Sequence, residues 1–244
     1  MNFKFTGTLD GCLNLNREEL EKQRLIVLDR LSKAGVVKSK KIKNAFLKVP
    51  REEFLPKKLR ARAYEDTPLP IGWGQTISAI HMVLIMLEEL KLSKGLTVLE
   101  VGTGSGYHAA LCAELIKTNS KGCVYTIERV KPLAVFALKN VVKTGYRKWI
   151  RVFHRDGSKG LPEKAPFDRI LVTAASPSIP PPLIEQLNDP GVMVIPVGGL
   201  HLWQDLIVLE KENGKVTQIN KGGVAFVPLI GEYGFKYDNE VIDN

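Results

Sequence analysis

Residues 96–116 read LTVLEVGTGSGYHAALCAELI, and this stretch decides the fold. An apolar run ends on the acid Glu100, glycine stands at the alternate positions Gly102, Gly104 and Gly106, and an Ala/Leu-rich segment follows from Tyr107. The pattern predicts a strand that stops at Glu100, a tight turn, and a helix from Tyr107 to Lys117. Glycine lets backbone approach a ligand closely, and a helix start aims its free amides at anionic groups. A nucleoside cofactor is therefore expected here. A dinucleotide fingerprint, G-x-G-x-x-G, would need glycine at position 107, which is Tyr107. One glycine could mark an ordinary bend; three on alternate positions behind an acid-ended strand point to a ligand.

Strand and helix patterns alternate downstream of that turn. Strands are expected at Val98–Glu100, Val124–Glu128, Ile150–His154, Arg169–Ala174 and Val192–Val197, with helices at Leu133–Lys143 and, behind the prolines 180–182, Leu183–Leu187. Strands separated by helices imply an α/β fold with a doubly wound, mostly parallel, Rossmann-like sheet. Upstream, residues 17–34 and 39–49 read as helices, the second stopped by Pro50, and Arg51 to Arg62 reads as a basic, partly helical connection. Ser78 is placed to cap a further helix reaching about Leu92. Downstream, Leu202–Glu210, Val216–Ile219 and Val224–Leu229 are strand-like, with Asn213-Gly214 as a hairpin turn, so a C-terminal antiparallel hairpin is expected at the sheet edge. The last ten residues read as a loose tail. One domain over 1–244 is expected: N-terminal helices and a substrate loop (1–80), a cofactor core (81–200) and antiparallel strands (201–244).

Composition narrows the class without choosing a function. Lys and Arg number 35 against 26 Asp and Glu, a net charge of +9, which suits a nucleic-acid surface, an acidic substrate or plain solubility. Cys12, Cys112 and Cys123 are odd in number and lack C-x-x-C spacing, so neither a disulfide framework nor a metal site is expected. A reducing, cytoplasmic setting fits this cysteine usage, and no apolar run is long enough for a membrane span.

Ligand contacts in such a sheet come from the C-terminal ends of strands. Three acids sit there: Glu100, Glu128 and Asp156, the last followed by Gly157. Glu128 lies about 20 residues beyond the glycine loop, where a carboxylate commonly bonds ribose hydroxyls. The stretch Tyr64 to His81, YEDTPLPIGWGQTISAIH, holds two prolines, two glycines and a tryptophan, and reads as a long functional loop too polar and broken for core structure. Within it Trp73 is read either as a cover for the cofactor or, in preference, as an anchor of the loop. His81 is read either as shaping the site or as a buried structural histidine, and neither it nor His108 is assigned metal or acid–base work.

The E-x-G-x-G-x-G spacing resembles the loop by which class I methyltransferases hold S-adenosylmethionine. From about Arg51 to Gly231 the chain resembles the protein-L-isoaspartate O-methyltransferases more specifically. The resemblance rests on Tyr64-Glu65-Asp66, Leu69-Pro70-Ile71-Gly72, Gly74-Gln75-Thr76-Ile77-Ser78, Leu99 to Tyr107, Asp156-Gly157, Pro166-Phe167-Asp168, Ile195-Pro196-Val197-Gly198 and Phe226-Val227-Pro228-Leu229. It implies methyl transfer from S-adenosyl-L-methionine, leaving S-adenosyl-L-homocysteine, to the free α-carboxylate of L-isoaspartyl residues in damaged proteins. It also implies that Ser78 is catalytic and touches the carboxylate. By the same resemblance Thr76, Ile77, Ser78, Glu100, Gly102, Gly104, Ser105, Gly106, Glu128, Arg129, Asp156 and Gly157 hold the cofactor, while Ser78, Ala79, Val197 and Gly198 hold the substrate. The family's usual proline after Ser-Ala is replaced by Ile80, which is expected to loosen Ser78 slightly.

Two other readings compete. The basic clusters Lys38–Lys43 and Lys57–Arg62 would suit an RNA methyltransferase. The Asn/Asp-Pro-Pro-aromatic motif of base methylation is replaced by Ala174-Ala175-Ser176-Pro177, and no cysteine stands there for attack on cytosine, so nucleic acid is not the expected partner. The other is a non-catalytic cofactor-binding partner protein, against which the intact Thr76-Ile77-Ser78 tract argues.

Overall fold

The computed structural model describes residues 15–200 and 203–236. Helices α1 (Arg17–Lys33) and α2 (Lys40–Lys48) come first, then two 3-10 turns, Arg51–Phe54 and Lys57–Arg62. A hairpin of β1 (Leu69–Gly72) and β2 (Gln75–Ile77) leads into α3 (Ile80–Glu89). The main body alternates β3 (Thr97–Val101), α4 (Tyr107–Ile116), β4 (Cys123–Glu128), α5 (Lys131–Lys143), β5 (Ile150–His154), β6 (Phe167–Val172), α6 (Pro181–Glu185) and β7 (Leu187–Gly198), and ends in β8 (Gln204–Glu212) and β9 (Lys215–Val224). Seven strands form one sheet in the order β5-β4-β3-β6-β7-β8-β9, parallel as far as β7 and antiparallel beyond it. The order reverses at β3, so the crevice beyond the carboxyl ends of β3, β4 and β6 is where such a sheet takes a ligand.

Alternation along each strand divides the core between the two faces of the sheet. Val98, Leu171, Val192 and Val194 pack with the N-terminal helices and α4, while Leu99, Val101, Ile170, Val172, Met193 and Ile195 pack around Leu161 and Leu183 on the other side. The α1 helix starts on a capping box, Asn16 accepting from Glu19 N–H and Glu19 from Asn16 N–H. Its buried Arg24 is tied to Glu52 at 2.9 Å, to Tyr64 Oη at 2.5 Å and to the Leu47 carbonyl at 2.7 Å. That network fixes the chain where it enters the loop bearing the site. No helix among the described residues is long and apolar enough to cross a membrane.

Several local expectations are corrected. The stretch 64–81 contributes core as well as loop: Tyr64, Leu69, Ile71 and Ile77 are buried, and Leu69 pairs with Ile77 across the hairpin. Trp73 sits at the hairpin tip with φ 51° and 56% exposure, so it anchors nothing. The cap of α3 is Ala79 with no side-chain bond, and Ser78 lies one residue before it. Asp66 takes the capping task from across the loop, accepting from His81 N–H at 2.8 Å. Val224–Leu229 is no separate strand, since β9 ends at Val224 and only Pro228 bridges, to Ala175. The Asn213-Gly214 turn forms with both φ positive, 53° and 73°, and its amides donate to Asp189. Cys12, the start of the 202–210 strand and all but two of the last ten residues lie outside the described residues.

Candidate active site

Beyond the carboxyl ends of β3, β4 and β6 lies a cleft lined by Val101, Ile127 and Thr173 from those strand ends. Its floor is the glycine loop. Gly102 has φ +97°, and a Cβ there would collide with Thr173 Oγ1, whose hydroxyl donates to the Gly102 carbonyl at 2.7 Å. At Gly157 a Cβ would come within 2.5 Å of Val101 Cγ1, so this wall too is kept close by the lack of a side chain. At the end of β4 the Glu128 carboxylate accepts from Gly104 N–H and from Val130 N–H, both at 2.9 Å. It is 6% exposed and lines the cleft with Arg129, so the loop and the carboxylate are one rigid unit with acceptor lone pairs left over.

The other wall comes from the loop and α4: Gln75, Thr76, Ile77, Ser78, Tyr107 and His108. The Tyr107 hydroxyl and His108 Nε2 are buried there and have no hydrogen-bond partner among the described residues. Burial lowers the His108 pKa to about 3, so its ring is neutral. Orphaned polar atoms in a cleft wall fit a ligand that carries its own donors and acceptors.

A second depression adjoins the first and is lined by Pro68, Ala79, His81, Met82, Trp203 and the 223–227 segment. Thr76, Ser78, Thr173 and Val227 belong to both. His81 is oriented by Asp66, Nδ1 to Oδ1 at 2.9 Å, and Asp66 is held by Arg30 of α1 at 3.0 Å. This half-exposed His81 shapes the groove, and the buried structural reading of it is corrected.

The expected site residues therefore divide. Thr76, Ile77, Ser78, Gly102, Gly104, Ser105, Glu128, Arg129 and Gly157 line the cleft, and Ser78 and Ala79 line the groove. Gly106 stands behind, as the left-handed cap of α4 with φ 86°. Asp156 is spent on structure: it accepts from Ser158 N–H and Oγ and from Glu232 N–H, and these bonds outweigh burial and hold its pKa low. Val197 and Gly198 line neither space; Gly198 N–H donates to the Ser176 carbonyl. Glu100 shares the Val98 face of the sheet, covered by the N-terminal helices and α4, and is wholly buried, accepting from Thr126 Oγ1 at 2.5 Å, with Oε1 unpartnered among the described residues. Sequence reasoning missed Tyr107 and His108 as wall groups, and Thr173 and the Val227–Ile230 segment as lining. Their signal was position after a strand end or a glycine loop.

Burial raises the Glu100 pKa from an ordinary 4.5 to about 8. Between those values the folded chain holds a proton that the unfolded chain has lost, so this residue makes stability fall as pH rises through the window. Glu100→Gln is expected to be indistinguishable from the parent near pH 4.5 and more stable above it. The gap should grow to a ceiling of about 5 kcal/mol at pH 8, at 1.36 kcal/mol per pH unit. Denaturant melts from pH 4.5 to 9 check this, and parallel curves for the two proteins would refute the neutral buried acid. Cofactor affinity should be unchanged, because the side chain lies outside the cleft.

A doubly wound sheet with this loop, a carboxylate at the end of the next strand and an adjoining groove defines a nucleoside-dependent transferase of the class I methyltransferase type. Comparison with known proteins gives the particular family. The sequence profile of protein-L-isoaspartate(D-aspartate) O-methyltransferase matches residues 21–234, and the chain belongs to that family. It is similar to the protein-L-isoaspartate O-methyltransferase of Staphylothermus marinus, 52% identical over 225 residues, 90% of this chain and 99% of that one. Its counterpart from Methanopyrus kandleri is 53% identical over 215 residues, 88% and 93% of the two chains. Among solved structures, a Plasmodium falciparum protein assigned as a protein-L-isoaspartate O-methyltransferase and crystallised with S-adenosyl-L-homocysteine superposes with a TM-score of 0.76. It is 28% identical and covers 84% of this chain and 97% of its own.

Proposed function

We propose that this chain transfers a methyl group from S-adenosylmethionine to the free α-carboxylate of L-isoaspartyl residues in damaged proteins. The observation that carries the reading is the place of Ser78, on the wall shared by the cleft and the groove. Two ligands brought in from the two sides meet there. Its hydroxyl has no partner among the described residues and is free to donate to a ligand.

Glu128 is suited to bond ribose hydroxyls, the Gly102–Ser105 backbone to approach the ligand closely, and Tyr107, His108 and Thr76 to meet its polar groups. When bound, S-adenosylmethionine supplies a methyl group on a positively charged sulfur. The acceptor carboxylate is ionised near neutral pH, its free pKa being about 3.3–3.9, so no side chain has to remove a proton. The chain's work is to bind, orient and exclude water, which for well-placed reactants is worth on the order of 7–11 kcal/mol. Ser78 donates to the carboxylate and holds one oxygen forward, and the nearby start of α3 adds favourable potential for the anion.

The test is to supply methyl-labelled S-adenosylmethionine with an isoaspartyl peptide, its normal aspartyl twin, and RNA. Base-labile label on the isoaspartyl peptide alone is the expected result, since an ester is hydrolysed by base. Base-stable label on RNA, or none on any acceptor, would overturn the reading.

A further inference from the structure

Arg51 is the largest wholly buried side chain of the described residues, and it has no carboxylate partner. Its Nε donates to the Ala63 carbonyl at 2.9 Å and Nη2 to the Ser78 carbonyl at 2.8 Å, while Nη1 is buried without a hydrogen-bond partner among the described residues. The guanidinium lies over the Tyr107 ring, 5.2 Å from its centroid. Asp66 is the acid that attracts it across space, but both Asp66 oxygens are committed, to His81 and to Arg30. His108 beside it is neutral. A buried cation is costly unless an anion or a full set of acceptors meets it, and guanidinium does not shed its proton in proteins. Here one donor is unmet, directly behind the residue on which the two spaces converge.

We infer that Arg51 is the positioning residue of the methyl acceptor: it pins the Ser78 backbone from behind and sets a positive charge there that favours a carboxylate over a neutral group. This deepens the proposed function and rests on it. Two carbonyls in different loops, Ala63 and Ser78, are held by one planar fork, so the hydroxyl of Ser78 is aimed by a group that never touches substrate. The charge is shielded from solvent, and its field reaches the ligand with little screening.

The experiment compares two peptides that differ only at the isoaspartyl α-position, one a free carboxylate, the other a carboxamide that cannot be methylated. Binding of each is measured to the protein saturated with S-adenosylhomocysteine, for the parent, Arg51→Gln and Arg51→Lys, alongside kcat on the carboxylate peptide. The parent should prefer the carboxylate at least tenfold, and Arg51→Gln should show a ratio near one. Arg51→Lys should lose kcat because the fork is gone, and its preference should decline between pH 7 and 10 as the buried lysine discharges, while the parent stays flat. S-adenosylhomocysteine affinity should stay within threefold throughout. A wild-type preference in Arg51→Gln, or in Arg51→Lys up to pH 10 should the glutamine variant not fold, would overturn the inference. So would a tenfold loss of S-adenosylhomocysteine affinity with an unmoved ratio, which would assign the charge to the cofactor. A parent that methylates no isoaspartyl peptide would instead refute the proposed function.

Discussion

Ser78→Ala is expected to lower kcat/KM for an isoaspartyl peptide by roughly 10²-fold, the usual effect of removing one donor aimed at a reacting oxygen. The loss should fall chiefly on kcat, because in the proposed reading the hydroxyl orients an acceptor that the groove still binds. Stability should change little. The serine precedes the Ala79 cap and its hydroxyl makes no bond among the described residues, so the loss of about 1 kcal/mol that an N-cap serine would bring does not apply. A change within about 0.5 kcal/mol is expected, as for surface sites without special contacts. S-adenosylhomocysteine affinity should be nearly that of the parent, since the cleft keeps Glu128, the glycine loop and the Tyr107–His108 wall. Steady-state assay, calorimetric titration and a denaturant melt on one preparation check the three statements together. Full retained activity would remove Ser78 from the chemistry, and a large drop in stability would mean that its role is architectural.

The contrast between what the chain reveals in one dimension and what it conceals follows from the range of the interactions. The parallel strands were legible because each is a short β-branched or leucine-rich run behind a turn, and Ile150–His154 falls as expected to the residue. The glycine loop was legible because a backbone demand leaves its mark as a residue type. Glu100 was misassigned to the cleft, though the same strand carried the correction. Val98 and Glu100 share a face by strict alternation, and that face is the helix side, where the acid meets Thr126 and Cys112. The hairpin at 69–77 was hidden because its proline and two glycines mask an alternation of only Leu69, Ile71 and Ile77. The start of α3 was read to within one residue, but its capping by Asp66 and the burial of Arg51 were not legible. Asp66 caps a helix 15 residues away, and Arg51 reaches carbonyls 12 and 27 residues away. No local pattern encodes which distant carbonyl a side chain will find.

Glu128 carries the second large effect. Its two oxygens accept one backbone N–H each, from Gly104 in the glycine loop and from Val130 at the start of α5, and the side chain is almost wholly buried. Glu128→Gln preserves the shape but offers only one acceptor atom, so an amide group must face one of those N–H groups donor to donor. A buried donor left unmet costs about 1–3 kcal/mol, and the fold should lose stability by that amount. The same change removes the charge and the second lone-pair set with which the residue would take ribose hydroxyls. Charged hydrogen bonds of this kind are worth about 1.5–3 kcal/mol, so the dissociation constant for S-adenosylhomocysteine should rise roughly 10- to 150-fold. Adenine, which lacks the ribose, should bind parent and variant alike. With the cofactor raised to saturation, kcat on the isoaspartyl peptide should return to within a few-fold of the parent, because Glu128 lines the cleft and not the groove proposed to take the acceptor. A variant whose kcat stays depressed at saturation would move Glu128 from holding the donor to shaping the reaction itself. One that binds S-adenosylhomocysteine as the parent does would show that the ribose lies elsewhere.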